Sequence, residues 1–345
     1  MSETQRIRWG IFGTGLIAHK FAEALALLPR AELVAVASRS AERAEEFGER
    51  FGIPVRHGSY EELARDERID IAYVGTATPH HEECAVRSLR AGKAVLCEKP
   101  LAVNAEQALR MVAAAREEGR LLMEALWSRF VPAFRQAREW LKEGAIGEVQ
   151  MVQADFGFRA EGEDLQRWLS PEAAGGSLMF VGVYPVSLAV LAFGGAPTEV
   201  KVVADLGPNG TDRRAGMLLG FAGGGVAVLA SAVDTKTPRF GTILGSQGMI
   251  RLDEPFYCSP GATLALPGQD EVRVSIPVEG NGLHYQAAAM METLDRGEVE
   301  NGIMPHEESI AVLRVMDELR RQLGMRFPCE SKERETDRSK GDGAR

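Results

Sequence analysis

Residues 7–18 read Ile7-Arg8-Trp9-Gly10-Ile11-Phe12-Gly13-Thr14-Gly15-Leu16-Ile17-Ala18. A run apolar enough for a buried strand, IRWGIF, stops at Gly13-Thr14-Gly15, and a stretch of helical spacing, LIAHKFAEALALL, follows at once. Strand, glycine turn and helix in that order form the setting in which a dinucleotide is held. Gly13 permits the tight turn, Gly15 leaves room for a pyrophosphate, and Ala18 lets helix and strand pack closely, with the phosphates at the positive helix end. Thr14, Leu16 and Ile17 complete that loop and are expected to touch the cofactor.

Outward from this stretch the same alternation continues. ELVAVAS, IDIAYVGT, AVLCE and LLMEA are short apolar runs, and AERAEEFGERF, HEECAVRSLRAG and AEQALRMVAAAREEG between them have helical spacing. Runs apolar on both faces and separated by helices point to a parallel sheet covered on both sides, a doubly wound α/β domain over residues 1–126. After Trp127 one helical segment, PAFRQAREWLKEG, precedes runs such as EVQMVQADFGF, TEVKVVADL, GMLLGFA, GVAVLASAV and GTILGSQGMIRL. Their close spacing and Gly-rich turns predict an α+β second domain over 127–328, with a large, mostly antiparallel open sheet. SLMFVGVYPVSLAVLAF and LHYQAAAMMETLDRG are expected as helices on one face of it. A last helix, about 305–324, is expected to pack back on the first domain. The tail 329–345 carries dense mixed charge and is expected to be disordered.

With 345 residues, two domains are the default. A formal net charge of -9 repels a phosphate backbone, which excludes nucleic acid as a partner. No apolar run of about 18 residues and no signal-peptide pattern is present, so neither membrane insertion nor export is expected and the chain reads as cytoplasmic. Cys84, Cys97, Cys258 and Cys329 are far apart, form no CxxC pair and read as free thiols.

An enzyme for NAD places Asp or Glu at the end of the second strand. Here that strand ends Ala37-Ser38-Arg39-Ser40, and a hydroxyl beside a guanidinium suits a 2′-phosphate, favouring NADP over NAD. Ligands gather at the carboxyl ends of parallel strands, and three more strands end in polar residues: Thr76-Ala77-Thr78-Pro79-His80-His81, Glu98-Lys99-Pro100, and Leu126-Trp127-Ser128-Arg129. All three are expected to border one cleft. The Lys99 ammonium there can reach the nicotinamide and donate a hydrogen bond to a reacting oxygen. Trp127, Arg129, Phe156, Phe158, Arg167 and Trp168 fall where the cleft wall is expected, and Arg129 is singled out because arginine is seldom buried without a partner. His80, His81, Glu82 and Glu83 diverge by about 100° per residue along a helix and lack a fourth ligand, so no metal is expected. His80 is expected to face solvent.

The spacing Thr78-Pro79-x-His81, Ala91-Gly92-Lys93 and Glu98-Lys99-Pro100 resembles that of the Gfo/Idh/MocA oxidoreductase family from Ile7 to about Phe327. Met123-Glu124-Ala125-Leu126-Trp127-Ser128-Arg129-Phe130 and Gly175-Gly176-Ser177-Leu178 through Val183-Tyr184-Pro185 look most like its dihydrodiol dehydrogenase and xylose dehydrogenase branch, whose members use NADP and oxidise a cyclic vicinal diol or an aldose. The resemblance implies that Lys99 binds cofactor and reacting hydroxyl, that Pro100 follows a cis peptide, that Tyr184 is the general acid/base, and that Thr76, Thr78, Pro79, His81 and Glu98 lie on the cofactor side. Trp127, Arg129, Phe158 and Phe180 would face the substrate. A free tyrosine has a pKa near 10, so Lys99 would have to stabilise its phenolate. One position departs: relatives carry aspartate four residues before the tyrosine, and here Phe180 stands there, implying a less polar substrate or compromised chemistry. The implied activity is hydride transfer between NADP and a carbon bearing a hydroxyl or carbonyl, in a sugar or cyclic vicinal diol. The alternative is an NADP-sensing regulatory protein of the same fold. A homodimer or homotetramer formed through the open sheet face is also implied.

Overall fold

The computed structural model describes residues 5–330. Its first sheet contains β1 (Ile7–Phe12), β2 (Ala31–Ala37), β3 (Val55–His57), β4 (Ile71–Val74), β5 (Ala94–Glu98) and β6 (Leu122–Ala125), in the order β3-β2-β1-β4-β5-β6 and parallel throughout. The helices α1 (Leu16–Leu25), α2 (Ala41–Phe51), α3 (Tyr60–Ala64), α4 (His81–Arg90) and α5 (Ala105–Glu117) cover it. Central strands lie between two layers of helix, so every residue of β4 and β5 is buried, including the acid Glu98. The strand order reverses at β1, which opens a crevice at the carboxyl ends of β1 and β4.

Local chemistry sets the helix ends. The Ser40 hydroxyl accepts from the Arg43 amide at the start of α2, the Asn104 carbonyl oxygen accepts from the Gln107 amide at the start of α5, and Gly52 closes α2 in the left-handed region.

The second unit begins with α6 (Pro132–Lys142) and contains β7 (Val149–Gly157), α7 (Gly162–Trp168), α8 (Val183–Phe193), β8 (Glu199–Leu206), β9 (Asp212–Gly220), β10 (Val226–Ala232), β11 (Gly241–Gly245), β12 (Met249–Leu252), β13 (Gly261–Ala265) and β14 (Val272–Ser275). Its eight strands run β14-β13-β12-β11-β7-β10-β9-β8, antiparallel except for the β7–β10 pair. The core-facing side alternates with an open one: Ala215, Met217 and Leu219 are buried, whereas Leu218 is 51% and Val203 81% exposed. Helix α8 is apolar all round because it lies between this sheet and the last helix. The run Pro171–Phe193, apolar and long enough by composition to span a membrane, is mostly buried in this core.

Two helices tie the units together. α9 (Leu283–Asp295) packs on α1, and the Arg30 guanidinium beyond α1 meets Asp295 at 2.6 Å. The sequence places α9 on the sheet face, but its buried side chains go to the first unit instead. α10 (His306–Leu323) packs on α5 and β6 as expected, with the His306 ring bonded to the Leu122 carbonyl, and also on α8 and β8.

Short elements escape the sequence reading: β3, α3, α7, β13 and β14 have too few residues to show a period. The tail begins later than expected. Glu330 binds Arg320 and the Phe327 amide, so Cys329 and Glu330 belong to the fold, and the remaining tail lies outside the described residues.

Candidate active site

The glycine turn after β1 has the features a dinucleotide demands. Gly13 has φ +95°, and a Cβ there would lie 2.9 Å from the Gly75 carbonyl oxygen, so only glycine fits. A Cβ on Gly15 would meet nothing within 4 Å, leaving open space directly before the first turn of α1, whose amide donors have no side-chain cap. These features fit a bound pyrophosphate. Ser38 and Arg39 follow β2 beside this turn, where the Gly13 amide donates to the Ala37 carbonyl at 2.9 Å. No carboxylate stands at that strand end.

Between the two units lies a cleft of about 610 Å³, a size suited to a small molecule. Leu16, Ile17, Thr76, Thr78, His81, Glu98 and Lys99 line it from the first unit, and Trp127, Phe158, Phe180 and Tyr184 from the second side. Gly13, Thr14, Gly15, Ser38 and Arg39 stand away from this cavity at the neighbouring strand ends, and Pro79 lines a separate groove beside α4.

Lys99 projects from the end of β5, and its peptide bond to Pro100 is cis. Its ammonium donates to the Phe180 carbonyl at 2.6 Å and lies 5.1 Å from the centre of the Tyr184 ring. Burial lowers its pKa, while the buried Glu98 and Glu124 oppose that shift. Glu98 in turn accepts from the Tyr73 hydroxyl at 2.7 Å, and burial raises its pKa. The lysine is thus a cation set over acids in a poorly solvated place, where its charge acts strongly on a reacting oxygen.

Tyr184 accepts a hydrogen bond from the Trp127 indole N–H at 2.9 Å. Burial first, and then Glu98, push its pKa well above 10, and the indole bond opposes them. The expected phenolate beside Lys99 is therefore not the resting state: the lysine is engaged by Phe180, and the phenol holds its proton. Such a tyrosine is poised as a proton donor.

Phe180 and Tyr184 both line the cleft, though not through ordinary helical spacing. Leu178–Gly182 form a π-helical turn that runs into α8, an irregularity that recurs at functional sites. It places the Phe180 ring edge-on to Trp168, centroids 4.6 Å apart, and aims the Phe180 carbonyl at Lys99.

His81 is buried on the first-unit side of the cleft. Its two ring nitrogens lie 3.1 Å from the Pro100 carbonyl and 3.2 Å from that of Thr76, between the neighbouring loops that follow β5 and β4. Burial lowers its pKa to about 4, so near neutrality only one ring nitrogen carries a proton and only one of the two carbonyls receives a hydrogen bond. His80, expected in solvent, is half-buried and contacts Arg39 at 3.1 Å.

Two arginines assigned to the cleft wall are not there. Arg129 is 1% exposed: its guanidinium donates to the Ser187 hydroxyl and carbonyl, pairs with Glu308 at 2.9 Å and stacks over Phe134. It found internal partners, the one condition under which arginine is buried. Arg167 is exposed on α7 and pairs with Asp164. Conversely, the sequence reading missed Tyr257, stacked on Phe156 with centroids 3.9 Å apart and 5.4 Å from Tyr184. Lys20, Cys258, Asn281 and Leu283 also line the cleft unannounced. Tyr257 sits in a turn after β12, and nothing local marks it.

This arrangement defines a nucleotide-dependent oxidoreductase, and the chain belongs to the GFO/IDH/MocA family: residues 7–126 match its "Oxidoreductase family, NAD-binding Rossmann fold" and residues 134–251 its C-terminal domain. The chain is 36% identical over 335 residues to trans-1,2-dihydrobenzene-1,2-diol dehydrogenase of Mus musculus, covering 93% of this chain and 98% of that one. Among solved structures it resembles a 3-ketoreductase from Actinomadura kijaniata in complex with NADP and TDP-benzene, with 29% identity, a TM-score of 0.79, and 92% and 98% of the two chains covered. It also resembles an aldose-aldose oxidoreductase from Caulobacter crescentus complexed with glycerol, with 26% identity, a TM-score of 0.82 and the same coverage.

Proposed function

We propose that this oxidoreductase interconverts a ring C–H bearing a hydroxyl and the corresponding carbonyl on a cyclic vicinal diol or sugar, with NADP as cofactor. The observation that carries the reading is the meeting of the Lys99 ammonium and the Tyr184 side chain in one cleft, against an aromatic wall. NADP, when bound, supplies the hydride acceptor or donor. Lys99 would leave the Phe180 carbonyl to donate to the reacting oxygen and stabilise its developing negative charge. Tyr184 would give its proton to that oxygen in reduction and recover it in oxidation, with Trp127 holding the phenol in place.

The wall favours a ring with an apolar face. Trp127, Phe156, Phe158, Trp168, Phe180, Tyr184 and Tyr257 all line the cleft, and no carboxylate occupies position 180 to accept from several hydroxyls. A cyclic diol therefore suits it better than a fully hydroxylated open sugar. The mouse relative's name supports this reading.

The test is a panel of cyclic diols and aldoses followed by NADPH absorbance, with NAD and the Lys99→Ala enzyme as controls. Turnover of some diol or aldose that vanishes in the variant supports the reading, and no turnover across the panel sinks it. The open sheet face, with Val203, Leu218 and Val228 exposed, supports a homodimer or homotetramer, which sedimentation would reveal. The buried thiols of Cys84 and Cys97 accord with a cytoplasmic protein.

A further inference from the structure

An unusual cation stands at the carboxyl end of β2. Arg39 is exposed, yet among the described residues it pairs with no carboxylate; its partners are His80, with Nη1 3.1 Å from Nε2, and the Tyr60 hydroxyl. Arginine only donates, so His80 Nε2 must be a bare acceptor and the imidazole neutral, with its proton on Nδ1. Two groups able to carry positive charge thus touch at the place where a cofactor's ribose reaches, beside the buried Ser38 hydroxyl.

We propose that His80 is a second ligand for the cofactor's 2′-phosphate, kept neutral by Arg39 until the phosphate arrives, so that preference for NADP over NAD strengthens as pH falls. This rests on the NADP reading above and deepens it. A dianion entering between the two groups replaces the imidazole as acceptor for Arg39 and draws a proton from solvent onto Nε2, which then donates to a phosphate oxygen. One proton is taken up for each NADP bound, and both cations face one dianion.

The surroundings are consistent with such a switch. The groups facing His80 are Arg39 from the end of β2, Tyr60 from α3, ring centroids 6.4 Å apart, and His81 and Glu83 from α4, with Glu172 of the turn 171–173 lining the same groove. Burial and Arg39 hold the free imidazole below its ordinary pKa, and of these neighbours only Glu83 opposes them. Glu83 is itself engaged by Arg87 at 2.9 Å. Below about pH 6 the phosphate takes a proton of its own, so the trend has a floor there.

Titration calorimetry of the full chain with NADP and with NAD, at pH 6.5 and 8 and in two buffers of different ionisation enthalpy, tests this. NADP should bind roughly fivefold more tightly at the lower pH, with measurable proton uptake, while NAD changes little. His80→Gln should abolish both the slope and the uptake and leave NAD affinity and melting temperature unaltered. NADP bound no better than NAD at either pH overturns the cofactor reading itself. A preference for NADP whose pH slope survives in His80→Gln overturns only the role of His80, as does an equal loss of both cofactors in that variant.

Discussion

The two walls of the cleft reach binding by opposite means. On the cofactor side the working parts are backbone: a positive-φ glycine, uncapped amides at the start of α1, and the ends of adjacent parallel strands. On the other side seven aromatic rings, the Tyr184 phenol among them, face one ammonium. A dinucleotide has a fixed shape that a few contiguous residues meet locally. A substrate ring has no such fixed address, so its wall is gathered from the turn after β6, from β7, from α7, from the π turn and from the turn after β12. The first wall is an affair of sequence neighbours and the second an affair of packing.

The sharpest way to break that comparison is to show that a charged side chain reaches the aromatic wall. Arg129→Met should cost about 3 kcal/mol of stability, because it removes a buried guanidinium from Ser187 and Glu308, and should leave KM for substrate unchanged. A raised KM with an unaltered denaturation midpoint would return Arg129 to the substrate.

Next in size are the two reacting groups. Lys99→Ala and Tyr184→Phe should each lower kcat by roughly a hundredfold, equivalent to about 2.7 kcal/mol. Cofactor affinity should survive in the tyrosine variant, since that side chain belongs to the far wall. Rates insensitive to Tyr184→Phe across the pH range would remove it from proton transfer.

A smaller effect sharpens the comparison at Phe180. Its ring is half-buried against Trp168 and lines the cleft, so Phe180→Asp should shift the ratio of sugar to cyclic-diol turnover toward the sugar by about tenfold, the worth of one charge-assisted hydrogen bond. A large fall in melting temperature with an unchanged ratio would mean that the ring only packs.

A further effect, read as a pH slope, lies behind the aromatic wall. Asp212 is fully buried, accepts from the Ser177 hydroxyl and the Leu178 amide at the start of the π turn, and has its pKa raised by burial to about 7. The folded state therefore keeps this proton between about pH 4 and 7 while the unfolded chain releases it, so stability falls as pH rises through that window. One such group contributes a slope of at most about 1.4 kcal/mol per pH unit. Asp212→Asn should flatten the dependence, read from urea midpoints at pH 5 and 7.5. An identical slope in both proteins would show that Asp212 titrates normally.

Much of the cofactor wall is legible in the chain because each of its determinants is local. Gly13 and Gly15 sit between a strand and a helix, Ser38-Arg39 replaces an acid, and Lys99 stands at the end of a buried run. The doubly wound sheet follows from apolar runs at regular intervals, and the antiparallel sheet from Gly-rich turns. Residue type was a weaker guide to the substrate wall. Trp127, Phe158, Phe180 and Tyr184 do line the cleft, but Arg129 satisfied its charge inside the core, and Tyr257 entered from a turn with no pattern of its own.

The sequence by itself determined where a dinucleotide belongs and that Lys99 ends a buried strand at the cleft, because those choices are written in short stretches whose periodicity and turn residues dictate backbone geometry, whereas Tyr184 was pointed to by the family resemblance alone. Only the tertiary structure decided what surrounds them. Whether a side chain faces a cavity or the core depends on neighbours tens to hundreds of residues away, as with Arg129 and Glu308. The protonation of Tyr184 and Asp212 likewise depends on burial, which exists only once the two units and the helices between them have packed.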